Sequence, residues 1–411
     1  MQCDVFVIGA GPAGLTAGIF AAREGAKVVI ADGNTVVGRK LLRTGRGRCN
    51  LTHAGDADDF VNAYGQFGKF LKHSLYEFGA GDVREFFDEL GLATKVEKNG
   101  CVYPMTDRAT DVARVLQDYG RRLGITFLYG KKVVGVEKVP RGFAVAVGNE
   151  TVASKALVVA TGGVSWSFTG STGDGFGLAE GFGHEVVAPK AALVRLIAKE
   201  EWLGELQGVA LEDVELTARV NDKKIKVRGA MMFTDDGVGG PVVFDMSRLL
   251  ADDIAGGAGD IEMFIDMMPG VDAGELNKLL IEKCSASAGK ELARVLAEML
   301  PRALVLKLCH WVEPTVTVLA GQLAKGKRKE LVQLIKYLPV TVTGTRPIEE
   351  ATVTRGGVST ENIDRKTMES KLCEGMFFAG EVIDSDGPCG GYNLQIAWST
   401  GAVAGKNAAR R

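Results

Sequence analysis

The sequence is short of the features that mark membrane, secreted and metal-dependent proteins. No apolar run approaches the roughly 20 residues a helix needs to cross a bilayer. Met1-Gln2-Cys3-Asp4 leads at once into an apolar stretch, with no room for a basic, then apolar leader. The cytoplasm is the expected location, with no membrane partner. Histidine is scarce: His53, His73, His184 and His310 do not fall at ligand spacing with one another or with a cysteine, so no metal site is expected. The seven cysteines, Cys3, Cys49, Cys101, Cys284, Cys309, Cys373 and Cys389, are odd in number, widely spaced and lack a Cys-x-x-Cys pair. Reduced thiols are the default. Neither sign of charge dominates, since 49 basic and 51 acidic residues give a formal net charge of -2. Nothing here calls for nucleic acid as a partner, and any phosphate binding has to be local.

What is present is a chain of 411 residues, 46% hydrophobic and 24% charged, long enough for a large core and two or three domains. Asp4-Val-Phe-Val-Ile-Gly9-Ala-Gly11-Pro12-Ala13-Gly14 reads as a strand, a glycine turn and a helix start. A second β-branched run at 27–32 follows an alanine-rich helical stretch, completing a parallel crossover. Gly9 permits the tight turn, Gly11 removes a Cβ where a backbone must approach a pyrophosphate, and Gly14 lets the helix pack on the sheet. Asp32-Gly33 ends the second strand, where a carboxylate can accept from a ribose diol. A glycine-rich turn with a solvated aspartate is the plainer reading, but strand, glycines, helix and acid all stand in order. NAD and FAD share this first turn, so it does not choose between them.

The far end does. Phe378-Ala-Gly380-Glu381 ends a buried strand and leads into Gly390-Gly391-Tyr392-Asn393-Leu394, which opens a helix running to about Lys406. A flavin needs partners along its ribityl chain and at its pyrimidine edge, where negative charge develops, and helix-opening amides suit that charge. Glu381 is placed to accept from a ribityl or ribose hydroxyl.

Between these ends lies Gly38-Arg39-Lys40-Leu-Leu-Arg43-Thr44-Gly45-Arg46-Gly47-Arg48-Cys49-Asn50-Leu51-Thr52-His53. Its basic side chains interleaved with glycines suggest a loop wrapped on phosphates, against the alternative of a solvated basic loop. Ala156-Leu-Val-Val-Ala160 reads as a buried parallel strand ending at a ligand crevice in Thr161-Gly162-Gly163. The runs at 125–129, 132–138 and 143–147 alternate and read together as a β-meander.

These motifs, with Tyr103-Pro104-Met-Thr106-Asp107, Gly170-Ser-Thr-Gly173-Asp174-Gly175 and Phe233-Thr234, resemble the BaiN-type flavoprotein family, which comprises aminoacetone-oxidase-family and bile-acid dehydro-reductase flavoproteins. The resemblance runs from residue 4 to about 405. It implies an α/β fold: a discontinuous, Rossmann-like FAD-binding domain of the glutathione-reductase type, with an inserted β-barrel-like plus helical domain. The expected division is 1–188 and 346–411 for the FAD-binding domain and 189–345 for the insertion, β-rich over 189–268 and helical over 270–340. It also implies non-covalent FAD held by Gly9, Gly11, Pro12, Ala13, Gly14, Asp32, Gly33, Arg39, Lys40, Arg46, Gly47, Arg48, Cys49, Asn50, Thr52, Ala160, Thr161, Gly162, Gly163, Gly380, Glu381, Gly391, Tyr392, Asn393 and Leu394. Val133 is the candidate for backbone contact to the adenine. The sequence departs from the family pattern at Arg46, where a small glycine is common, at Asp235, where histidine is, and at Cys389, where threonine is.

The expected function is an FAD-dependent oxidoreductase that passes electrons from diffusible NAD(P)H through FAD to an unsaturated or carbonyl-conjugated small molecule. The cofactor supplies the chemistry and the protein supplies orientation and electrostatics. A flavin oxidase acting on an amine or amino ketone with dioxygen is the second reading. A flavin-binding or RNA-associated protein without enzymatic activity is the third, its only pointer being the basic stretch Lys325-Gly-Lys-Arg-Lys-Glu330. Tyr392, Cys49 and Cys389 are positional candidates for a catalytic acid, with packing or cofactor contact as the plainer role of each. Disulfide reduction is disfavoured, because Cys49 and Cys101 lack the spacing of a redox pair.

Overall fold

The apolar run near the start becomes the strand Gln2–Ile8, buried on both faces, which pairs in parallel with Val28–Asp32 on one side and Glu150–Val159 on the other. A strand covered on both faces needs a continuous apolar sequence rather than an alternating one, and Asp4-Val-Phe-Val-Ile supplies it. This computed structural model describes residues 1–221, 223–314 and 317–411. It divides into two compact units: Met1–Ala191 with Ile348–Arg411, and Ala192–Pro347.

The first unit is built on a seven-stranded sheet. Thr126–Tyr129 pairs in parallel with Val28–Asp32 at one edge, while Val133–Val139, Gly142–Val147 and Glu150–Val159 run antiparallel to one another at the other. The run at 125–129 is therefore not part of the meander that the sequence pattern suggests; the third meander strand is the first half of Glu150–Val159. Short alternating runs look alike in sequence whether their partner is the next strand or one a hundred residues away. The long strand is shared along its length: Glu150–Ser154 faces the meander, and Leu157–Val159 faces Met376–Phe378, which joins in parallel from the end of the chain.

The helices Pro12–Arg23 and Tyr392–Ala408 pack closely against each other. A Cβ at Gly401 would lie 2.6 Å from the carbonyl oxygen of Ala13, and one at Gly405 2.1 Å from that of Ala17. These two glycines let backbone meet backbone where any side chain would force the helices apart. A small sheet of Thr52–His53, Cys101–Pro104 and Thr94–Val96 holds the end of the basic loop.

The second unit contains a closed six-stranded barrel, ordered Leu196–Ala198, Gly237–Gly239, Lys223–Phe233, Ala210–Val220, Ile261–Asp266 and Leu338–Thr345. Leu211, Val214, Leu216, Ala218 and Val220 alternate inward along one strand, as a half-buried strand requires. The helices Ala273–Ala286, Arg302–Val312 and Lys325–Lys336 share its core through Leu276, Leu304 and Leu331. The barrel and helices fit the inserted part of the expected fold class.

Candidate active site

The glycine turn is shaped by contacts that leave no room for a side chain. Gly9 has φ +105°, and a Cβ there would lie 2.3 Å from the Ala160 carbonyl oxygen; a Cβ at Gly14 would lie 1.9 Å from that of Gly9. Gly11 differs: a Cβ built on it meets nothing within 4 Å. Pro12 then starts the helix at the position where a missing N–H costs nothing, and no side chain caps that helix. The amides of its first turn have no intrahelical partner.

Asp32 closes the turn from below. One carboxylate oxygen accepts from the Ala10 amide at 2.7 Å, the other from the Asn34 amide at 2.7 Å and its side-chain Nδ2 at 3.0 Å. The Asp32 carbonyl accepts from the Lys131 amide, which sets Asp32-Gly33 beside the start of the Val133 strand. The Ala160-Thr161-Gly162-Gly163 segment leaves the sheet next to Gly9, and a Cβ at Gly163 would lie 2.3 Å from Thr354 Oγ1.

The basic loop is wound by left-handed residues at four of its five positions 45–49: Gly45, Arg46 (φ 58°), Gly47 and Cys49 (φ 64°). Holding non-glycine residues there costs energy that the surroundings must repay, which is typical of ligand clamps. Two of its five basic side chains, Lys40 and Arg48, are paired with carboxylates. Lys40 Nζ donates to both carboxylate oxygens of Glu381 at 2.6 and 2.8 Å and to Ser165 Oγ at 2.6 Å. Arg48 pairs with Glu97 at 2.7 Å over the Tyr103 ring. Arg39 donates to Asn34, and Arg43 lies over the Phe168 ring. Cys49 is fully buried, which pushes its thiol up to about 12. The side-chain oxygen of Asn50 is buried with no hydrogen-bond partner among the described residues. Buried acceptors are nearly always paired.

Glu381 is the knot of the site. Besides Lys40 it accepts from Ser165 Oγ and the Thr354 amide, each at 2.8 Å, and Thr354 Oγ1 accepts from the amides of Val164 and Ser165. Burial alone would raise its carboxyl, but the Lys40 charge and these donors outweigh it and hold it below the ordinary carboxylate range. Gly380 (φ +76°) sits against Ala13, where a Cβ would lie 2.6 Å from that of Ala13, so the two ends of the chain meet here.

The closing helix begins at Gly391 (φ +103°), where a Cβ would lie 2.4 Å from the Thr52 carbonyl. It too has no side-chain cap and no acid in its first turn. Asn393 ties the preceding loop, accepting from the Gly387 amide at 2.9 Å and donating to the Gly387 and Pro388 carbonyls. Leu394 is half-buried beside it. Thr52 donates to Gln395 at 2.6 Å. Tyr392 stacks on His53 and packs against Phe60 and Tyr64, so its ring is part of an aromatic cluster. Cys389 is partly exposed. Asp235 lies in the second unit, paired with Arg195 at 3.2 Å.

The structure thus joins Gly9–Gly14, Asp32–Gly33, Val133, Ala160–Gly163 and Gly380–Glu381 in one region, and Cys49–Thr52 with Gly391–Leu394 at the start of the closing helix. Sequence reading missed Asn34, Ser165 and Thr354. Only Thr354 carried a signal, as part of the short β-branched run Thr352-Val-Thr. The residues present fit a bound dinucleotide on two counts: the clearance at Gly11 before the Pro12 helix, and the unpaired oxygen of Asn50.

The HI0933-like protein Rossmann domain family matches residues 3–407. A 3-dehydro-bile acid delta(4,6)-reductase of Clostridium scindens is 32% identical over 411 residues, covering 98% of both chains. A ribosomal RNA dihydrouridine synthase of Escherichia coli is 32% identical over 97% of this chain and 96% of its own. In fold, the chain is similar to a 3-ketosteroid delta1-dehydrogenase from Sterolibacterium denitrificans, with a TM-score of 0.55 at 11% identity over 100% of this chain and 99% of that one. Both the Rossmann-type fold and the resemblance read from the motifs hold: the chain belongs to the HI0933-like Rossmann family and is a flavoprotein oxidoreductase.

Proposed function

We propose that this enzyme reduces a carbon–carbon double bond conjugated to a carbonyl in a small molecule, with NAD(P)H as the electron donor and non-covalent FAD as the cofactor. The observation that carries the reading is a shared chemistry. A delta(4,6)-reductase acting on a 3-dehydro bile acid and a synthase of dihydrouridine both add hydrogen across a double bond in conjugation with a carbonyl, and both relatives match this chain over nearly its whole length.

FAD supplies the two-electron chemistry. In this reading the amides that open the helix at Pro12 hold the pyrophosphate, with Gly11 giving the clearance. Asp32 keeps the glycine turn in register and offers its remaining lone pairs to a ribose. Lys40 and Glu381 clamp the basic loop to the end of the last strand, rather than each taking a cofactor group alone. Asn50 offers its unpaired oxygen to a ring N–H. The amides that open the closing helix, which has no side-chain cap, would lie toward the pyrimidine edge and would stabilise negative charge there. Cys49, with its thiol pushed up to about 12, is unsuited to proton transfer near neutrality.

The test is a visible spectrum of the purified protein, then anaerobic mixing with NADH and NADPH before adding a steroid-like enone. Bleaching by either nucleotide and reoxidation by the enone are expected. A flavin that stays yellow with both nucleotides overturns the donor assignment. Hydrogen peroxide formed from an amine would favour the oxidase reading, and reoxidation by uridine-containing RNA but not by enones would move the substrate to RNA.

A further inference from the structure

One buried charge pair of the first unit has no place in the clamp described above. Arg355 Nη1 lies 3.0 Å from Asp386 Oδ2, with side-chain exposures of 12% and 0%. The guanidinium also lies 5.4 Å from the centre of the buried Phe67 ring. Removing both charges from water is expensive, and well-packed apolar residues would serve stability as well or better. A pair kept under those terms calls for a reason other than stability.

Its position supplies one. Arg355 follows Thr354, whose amide is bound to Glu381 and whose hydroxyl takes the amides of Val164 and Ser165, so its backbone is anchored to the Glu381 knot. Asp386 lies in the loop that leads to Gly390 (φ +119°) and Gly391 (φ +103°). The next residue, Gly387, is pressed against Tyr64 and Tyr392, and is held at both its amide and its carbonyl by Asn393. The loop is therefore gripped twice, by Asn393 from the helix and by Arg355 from the knot. Both grips act just before the glycine turn that aims the uncapped amides of the closing helix.

We infer that Arg355 and Asp386 are a positioning pair: they fix the Gly390–Gly391 turn, and through it the direction of the amides at the start of the closing helix, toward the flavin. This rests on the functional reading above, in which those amides face the pyrimidine edge.

The experiment compares wild type, Arg355→Lys, Asp386→Asn and the double variant Arg355→Met/Asp386→Leu. The double variant removes both charges together, while Asp386→Asn keeps the shape should the double variant fail to fold. Unfolding midpoints of the apoproteins, hydrogen exchange at Gly390–Leu394 in the apoproteins, and the flavin midpoint potential are measured. The double variant is expected to keep its unfolding midpoint, to exchange those amides at least tenfold faster, and to lower the reduction equilibrium constant about tenfold, roughly 30 mV for a two-electron couple. Arg355→Lys, which keeps a cation opposite Asp386, is expected to keep both readouts near wild type. Wild-type exchange and potential in a folded double variant or in Asp386→Asn would overturn the positioning role. Failure of the wild-type protein to take up flavin would instead overturn the functional reading, and would be seen before any variant is compared.

Discussion

Lys40 and Glu381, 341 positions apart, form an ion pair at 2.6 Å with about a fifth of each side chain exposed. Glu381→Gln leaves the Lys40 ammonium facing a neutral partner in a half-dry site. Stability should fall by roughly 2–3 kcal/mol, at the low end for a buried pair because both side chains still touch water. Denaturant unfolding of the apoprotein measures it. The carboxyl is held below its ordinary range, so the pair's contribution is complete above about pH 4.5 and lost as pH falls through the lowered value. The variant should lack that acid-side loss.

Gly11→Ala separates folding from cofactor binding. The added methyl meets nothing within 4 Å and the backbone there, at φ -78°, suits any residue. The apoprotein melt should stay within about 1 °C of wild type, since surface changes away from special features cost little. FAD affinity should drop at least tenfold, read by quenching of flavin fluorescence on titration. Gly14→Ala, whose methyl would lie 1.9 Å from the Gly9 carbonyl oxygen, should lose both.

His184 should make the protein sensitive to mild acid. It is 4% exposed, bonds through Nδ1 to the Ala179 carbonyl and through Nε2 to the Ser370 hydroxyl, and burial lowers its proton affinity. With Nδ1–H donating to the carbonyl, Nε2 accepts from the hydroxyl, which fixes the neutral form. The unfolded chain takes up this proton near pH 6.5 and the folded one resists, so stability is complete above that pH and falls below it. Unfolding midpoints at pH 7.5 and 5.5 should differ more for wild type than for His184→Gln; equal differences would refute the assignment.

Thiol labelling should follow burial. Cys49 and Cys3 are pushed up to about 12, Cys3 by burial first and the neighbouring Asp4 second, and little thiolate forms near neutrality. Iodoacetamide at pH 8 should spare both in the native protein while modifying the partly exposed Cys389, with mass spectrometry locating the adducts. Labelled Cys49 in folded protein would show that the loop opens.

The features legible in sequence are the local ones. Gly9, Gly11 and Gly14 announce their turn because each is needed within six residues of the others, and the apolar run 156–160 announces a buried strand because both its faces are covered. The partners of Lys40 and Arg48 were not legible, since Glu381 lies 341 positions away and Glu97 49. A basic residue reads the same whether it meets a phosphate or a carboxylate. Ser165, Thr354, Arg355 and Asp386 matter only through such distant pairings. The run at 125–129 pairs with Val28–Asp32 rather than with the meander for a related reason: strand character is local, but the choice of neighbour is not.

The strand Glu150–Val159 has a consequence for synthesis. Its second half, Leu157–Val159, waits for Met376–Phe378, which leaves the ribosome about 220 residues later, a delay of roughly 10 to 45 seconds at usual bacterial and eukaryotic rates. During that interval an apolar strand edge at the centre of the nascent sheet stands unpaired. Such an edge is a template for stray pairing, and it makes this strand a point where crowding, slow translation or a lost chaperone would be felt.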